Sequence, residues 1–438
     1  MRVTNSPIIN TSTSESLIDS SGVTSFDFHA FIDVRNQVLH RNYPRESLVS
    51  ILEDYNKKIG NDVIALENIK KLVLPSNDCV VTGQQLGLMG GPLYAILKGI
   101  SCLLIARQTG AVPIYWLATE DHDVAEIDHT YLIDSNGNFK RFALTLPRDG
   151  TPVETLRLSQ KNLDEISAFW SFLEVPSPLF AAVGELYSLS MVKLLVSLFA
   201  GTGMVFLEPK LLRPLAIPFF LKEITECQTI QQLLKDTTDK IEKTGEPTVL
   251  KVGEPTNLFF INKNDKRFKL RFNGEFFSAG TENFTLDELL SKVRQEPQSF
   301  SCNAAARPVL QNTLLPVIAY VGGPTEIEYH KQLKDYHLFH GVSMPWVIPR
   351  LSATFILSDA EKALQSSHLQ PWDEIPLHLE QAQGKELHLL RNLFHPHNKP
   401  QERLLNWWGF QAKTQENLLA ECLEQLSWNS PSPYYIYL

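Results

Sequence analysis

One stretch constrains the fold of this chain more than any other: Cys79-Val-Val-Thr-Gly-Gln-Gln-Leu-Gly-Leu-Met-Gly-Gly-Pro-Leu-Tyr-Ala-Ile-Leu-Lys98. Its apolar run ends at Val81 and suits a buried strand. A polar, glycine-punctuated turn follows from Thr82 to Gly91. Pro92 then stands at the expected first helical position, where a fixed φ and a missing N–H cost nothing. Leu93 to Gln108 are good helix formers, with Tyr94, Lys98 and Ser101 on one side of a mostly apolar cylinder. Strand, glycine turn and buried helix form the opening unit of a doubly wound parallel sheet. The free N–H groups at such a helix start attract anions. Thr82, Gly83, Gln84, Gln85, Gly90, Gly91 and Lys98 are therefore candidates for holding a phosphate. Neither the dinucleotide fingerprint nor the Walker A pattern is present. The alternative is a plain tight turn, with Lys98 snorkelling at the surface.

A second strand, Ile114-Tyr-Trp-Leu-Ala118, runs into Thr119-Glu-Asp-His-Asp123, followed by Glu126, Asp128 and His129. Open α/β sheets bind ligands outside the carboxyl ends of their strands, which makes Glu120, Asp121, His122 and Asp123 candidate catalytic residues. They can bind substrate hydroxyls and amines, or form a hydrogen-bonded structural turn. A metal is the third reading, if helical spacing brings His122, Glu126 and His129 to one face. Tyr131-Leu-Ile133 reads as a strand, which opposes that spacing, so no metal site is expected.

The same grammar returns late in the chain. Leu315 to Val321 is a strand, and Gly322-Gly-Pro-Thr-Glu-Ile-Glu-Tyr-His-Lys-Gln-Leu333 is a second glycine turn into a helix. The strand Trp346-Val-Ile-Pro-Arg350 follows. Two such turns imply two half-sheets meeting at one crevice. The second turn carries Glu326 and Glu328 in its first helical turn, where carboxylates offset the helix dipole. It suits an amine or a hydroxyl rather than a phosphate; alternatively Glu326 is only a helix cap. Arg350 can clamp a carboxylate or phosphate bidentately or form a structural ion pair.

Between the halves, residues 134–300 read as an insertion. Leu163–Leu173, Leu179–Phe199 and Leu215–Lys243 look helical, Asn257–Ile261 looks like a strand, and Thr285 with Glu288 forms a capping box. In Arg267–Phe272, alternation puts Phe268, Leu270 and Phe272 on one face and three cations on the other, which is expected to face solvent. The expected architecture is α/β: a Rossmann-like doubly wound parallel sheet with an inserted connecting domain and a C-terminal helical extension. Its divisions are 1–76 (N-terminal tail and helices near 45–59 and 62–72), 77–133 (first half of the core), 134–300 (insertion), 301–356 (second half) and 357–438 (helical region, with Trp407 and Trp408 as packing residues). A formal net charge of −9 argues against a nucleic-acid surface. No apolar run approaches the roughly 20 residues of a membrane span. The polar N-terminus lacks a secretory segment, and five scattered cysteines signal no disulfide framework. A cytoplasmic protein is expected.

Four segments together resemble the bacillithiol-biosynthesis cysteine-adding enzymes: the stretch Val80–Tyr94, Trp116-Leu-Ala-Thr-Glu-Asp-His-Asp123, Gly322-Gly-Pro-Thr-Glu-Ile-Glu-Tyr329 and Pro345-Trp-Val-Ile-Pro-Arg350. Asn303 with Arg307-Pro308, and Gln401-Glu-Arg-Leu-Leu-Asn406, are similar to further segments of that family. The resemblance implies a ligase that joins cysteine to glucosaminyl-malate to give bacillithiol. It also implies ATP or another adenine nucleotide, because an amide made from a carboxylate needs an activated acyl group. Substrate contacts are then expected from Gly322, Gly323, Glu326, Tyr329, Asn303 and Arg307. The His-x-Gly-His and Lys-Met-Ser-Lys-Ser signatures of class I synthetases are absent. Between Phe355 and Gln401 the chain has too few residues and too many prolines for the family's long helical hairpin, which leaves a coiled-coil homodimer open. Two other readings stand beside the ligase: a different nucleotide-dependent transferase on the same core, and a non-catalytic nucleotide-binding protein.

Overall fold

The computed structural model describes residues 2–5, 28–134, 138–253, 255–356, 358–366, 368, 405–414, 417–426 and 434–437. Its centre is a five-stranded parallel sheet. The strands are β1 (Cys79–Gln84), β2 (Val112–Leu117), β3 (Val205–Leu207), β4 (Val317–Gly322) and β5 (Trp346–Pro349), in the order β5-β4-β1-β2-β3. These runs are buried almost throughout, as strands covered on both faces must be. Chain order climbs from β1 to β3 on one side and restarts at β4 on the other. The reversal falls between β1 and β4, where a doubly wound sheet opens a crevice.

Helix α1 (Leu93–Thr109) carries the chain from β1 to β2 and stops at Gly110, whose left-handed φ of 73° ends it. Helices α2 (Pro324–Lys331) and α3 (Lys334–Phe339) link β4 to β5. Side chains alternate across the sheet. Tyr115 and Phe206 pack with Leu97, Ile100 and Phe199 on one face. Ile114, Trp116, Val205 and Leu207 join Phe219, Phe220, Leu258 and Phe300 on the other.

Several elements depart from the sequence expectations. β1 runs to Gln84 rather than Val81, because Thr82, Gly83 and Gln84 find ladder partners in Tyr115, Trp116 and Leu117. β3 lies inside the segment read as an insertion, and only its pairing with Ile114–Trp116 reveals it as a core strand. The helix expected over Leu179–Phe199 spans Tyr187–Leu198. The preceding residues bond instead to an extended segment: Gly184 N donates to Leu158 O and Leu158 N to Glu185 O. The helix expected over Leu215–Lys243 is two, Ile217–Thr225 and Cys227–Lys243. Arg267–Phe272 is broken at Leu270: Arg267–Lys269 pairs with Leu258–Ile261, while Arg271–Phe272 pairs with Phe277–Ala279 in another sheet. An unexpected helix covers Phe28–Leu39.

The far C-terminal part is not purely helical. Tyr434–Tyr437 lies between Arg2–Asn5 and Ala353–Ile356 in a three-stranded sheet. Helices Ser358–Ser366, Trp407–Gln411 and Leu418–Gln425 are described there. Trp407 is buried and Trp408 packs edge-on against Trp170. Most of the shortened hairpin region, 369–404, lies outside the described residues, as does most of the Ser/Thr-rich tail.

Candidate functional site

A cleft of about 1370 Å³ opens at the carboxyl ends of the central strands. It sits at the switch point between β1 and β4. Of the residues singled out in the sequence, Gly83, Gln84, Gln85, Lys98, Glu120, Asp121, His122, Asn303, Arg307, Gly323, Glu326, Tyr329 and Arg350 line it. Thr82, Gly90, Gly91, Asp123 and Gly322 do not. Thr82 is fully buried and donates to Val321 O at 2.9 Å, fastening β1 to β4. Asp123 caps the short turn Val124–Glu126 through Ala125 N. A Cβ on Gly322 would meet Glu326 Cβ at 3.1 Å, so the turn packs closely against α2 there.

The first glycine turn proves to be a closed structure. Its donors are largely used internally: Gly87 N bonds to Gln85 O, Leu88 N to Ile127 O and Gly91 N to Leu88 O. Leu93 N, at the start of α1, donates to Leu405 O at 2.8 Å. Four of the N–H groups on this turn and helix start thus bond to the protein's own carbonyls.

Lys98 is buried, not snorkelling. Its Nζ donates to Gly83 O at 2.9 Å and Gln84 Oε1 at 2.8 Å, and pairs closely with Glu326. Glu326 also accepts from Gly323 N at 2.8 Å and from the Tyr320 hydroxyl at 2.7 Å. It is at once the cap of α2 and the counter-ion of α1, which ties the two half-sheets together across the crevice.

On the β2 side the acidic turn is pinned by backbone bonds from 153–154: Val153 N to Asp121 O and Glu154 N to Thr119 O. Gln85 Nε2 donates to Asp121 Oδ2 at 2.7 Å. Burial raises the Asp121 carboxyl, but Arg267 and the N–H groups of His122 and Asp123 outweigh it and hold it below the usual range. Burial, with Arg267 beside it, depresses the His122 imidazole. Arg267 donates to His122 Nδ1 at 3.0 Å, so that nitrogen is an acceptor and the ring is neutral. Burial pushes the Glu120 carboxyl up, against the lowering influence of Arg267, Arg213 and Arg307.

Arg267 is the residue that sequence reasoning misplaced. It is buried, bonded to Ser301 Oγ and Cys302 O as well as His122, with its guanidinium 3.7 Å over the Phe259 ring. Alternation put it on the polar face correctly; nothing local indicated that this face turns into the cleft. Asn303 Oδ1 accepts from Ala305 N and Ala306 N in the turn that leads into the helix Ala306–Leu314, whose first turn carries Arg307. Arg350 N donates to Gly322 O, and its guanidinium lies 5.7 Å over Tyr94.

The helical spacing that would bring His122, Glu126 and His129 together is absent. Val124–Glu126 is one short turn and His129 begins a strand. Among the described residues no three His, Cys, Asp or Glu side chains gather as a metal site. No described helix is long and apolar enough to cross a membrane.

A 3-2-1-4-5 parallel sheet with a charged cleft at its switch point defines a Rossmann-like α/β protein. The family profile "Bacillithiol biosynthesis BshC, N-terminal Rossmann-like domain" matches residues 23–351. The chain belongs to this bacillithiol biosynthesis family. Among its relatives, a Koribacter versatilis protein named "Putative cysteine ligase BshC" is 34% identical over 341 residues, 74% of this chain and 64% of the relative. Proteins of the same name from Heliobacterium modesticaldum and Bacillus cytotoxicus are 32% and 29% identical, across 79% and 81% of this chain and 68% and 69% of theirs. The matches thus span about two thirds of the relatives' length.

Proposed function

We propose that this protein is a carbon–nitrogen ligase that joins the carboxyl group of L-cysteine to the amine of glucosaminyl-malate. One observation carries the reading: the separated segments that resemble the family converge on a single switch-point cleft. The cleft offers the carboxylates Glu120, Asp121 and Glu126 together with the cations Arg267, Arg307 and Arg350. Both substrates carry anionic and amine groups that such a mixed lining suits. A nucleoside triphosphate would supply the activation that amide formation from a carboxylate requires. The residues present fit it in one respect: Arg307 and Arg350 can meet phosphate as forked donors. Neutral His122, with Nδ1 engaged by Arg267, offers its Nε2–H to a substrate oxygen. The buried Lys98–Glu326 pair positions the Gly323 backbone.

The reaction is tested by incubating the purified protein with L-cysteine, glucosaminyl-malate and magnesium ATP. The expected result is the condensed thiol by mass spectrometry, with release of pyrophosphate. Arg307→Met should lower kcat/KM at least tenfold, since each 1.36 kcal/mol of lost transition-state binding is a factor of ten. Turnover of ATP with other amines or acids, but not with this pair, would move the chain to a different transferase reaction.

A further inference from the structure

Two acceptors in the cleft have nothing to accept from. Glu120 is 3% exposed, and its Oε1 is buried without a hydrogen bond. Gln85 commits its Nε2 to Asp121, and its Oε1 is likewise buried and unpartnered. Both residues line the cleft, just beyond the ends of the paired strands β1 and β2. Arg267, Arg213 and Arg307 all favour the charged Glu120 carboxylate through space, but none of them bonds its Oε1. Arg267 is bonded to His122, Ser301 and Cys302, and Arg213 to Glu154 and Gln298 O. A buried acceptor left unsatisfied is costly, and each one in a native protein calls for a physical reason.

The missing partner is a donor, and its charge can be inferred. A hydroxyl would supply one hydrogen bond and leave the other oxygen orphaned. An ammonium supplies three donors, enough to bond both oxygens at once through charge-assisted hydrogen bonds. Asp123 and Glu126 add exposed negative charge close by in the chain, while Arg307 and Arg350 line the cleft as cations. A ligand that carries an anionic group as well as an ammonium finds both kinds of partner within this one cleft.

We propose that Glu120 and Gln85 form the receiving site for a substrate's primary ammonium group, Glu120 as countercharge and Gln85 as directional acceptor. This deepens the ligase reading and rests on it for the two sources of the amine, cysteine or glucosamine. The test is calorimetric titration of the full chain with two matched pairs: L-cysteine against 3-mercaptopropionate, and glucosamine against glucose. The wild type should prefer the amine-bearing member of one pair by about tenfold to a hundredfold, the worth of a hydrogen bond to a charged group. That pair identifies the amine. Glu120→Gln keeps the shape and should abolish the preference while leaving the amine-free twin's affinity unchanged. Gln85→Met should reduce the same preference, and it carries the test should Glu120→Gln fail to fold by circular dichroism. Three results would overturn the inference: no preference in the wild type, a preference intact in the variants, or equal weakening of both twins. Because titration needs no turnover, its outcome is separate from whether the condensed thiol forms.

Discussion

Lys98 and Glu326 stand 228 positions apart in the chain and meet at the centre of the molecule. Burial alone would raise the Glu326 carboxyl; Lys98, the Gly323 N–H and the Tyr320 hydroxyl outweigh it, and its pKa falls below the ordinary 4.5. A carboxyl whose folded pKa is depressed contributes stability above its unfolded pKa and loses it as pH falls through the folded value. Glu326→Gln should therefore cost about 3–5 kcal/mol at neutral pH, the usual penalty for stranding one member of a buried pair. The deficit should shrink as pH falls below about 4.5, where the unfolded chain's carboxyl begins to protonate while the folded one still holds its charge. Urea unfolding at pH 7 and pH 3.5 measures both. A constant difference at the two pH values would show that the carboxylate charge is not what matters.

At the scale of elements, the two Gly-Gly-Pro turns are not equivalent. In the first, Met89, Gly90 and Gly91 all have positive φ, and Pro92 occupies the position before the helix. Gly91, at φ 80° and ψ −169°, sits where only glycine is comfortable. In the second, Gly323 is at φ −78° and Pro324 is the first helical residue. The first turn is held from outside by Asn406, whose Nδ2 reaches Leu88 O, Met89 O and Gly91 O at 3.2–3.4 Å. Asn406→Ala should cost about 1–3 kcal/mol by leaving buried carbonyls unsatisfied. It should also speed amide hydrogen exchange from Leu88 to Leu93, with little change around Gly323. Uniform exchange in both turns would mean that Asn406 does not brace this one. The tripeptides were visible in the sequence; their different geometry was not, since the carbonyls of the first turn find their partner in a residue more than three hundred positions later.

At the scale of the whole molecule, the segment from Leu405 to Leu426 is part of the core. Leu405, Trp407, Phe410, Leu418, Leu419, Cys422, Leu423 and Leu426 are buried in the cluster on the α1 face of the sheet. At about 1.5–3 kcal/mol for each large side chain, their loss rivals the whole net stability of about 5–15 kcal/mol. A chain ended at residue 404 should be insoluble, or melt at least 10 °C lower by circular dichroism. An unchanged melt would show that this segment is dispensable for the core. The sequence by itself determined the strand–turn–helix units, their repetition, the α/β class and the family, since these rest on local periodicity and on motif order. Tertiary structure alone decided that Val205–Leu207 completes the sheet, that Arg267 turns inward to His122, that Lys98 is paired rather than free, and that Asn406 closes the first turn. Periodicity reports which face of an element is buried. It carries no information about which distant side chain will satisfy a buried charge or carbonyl on that face.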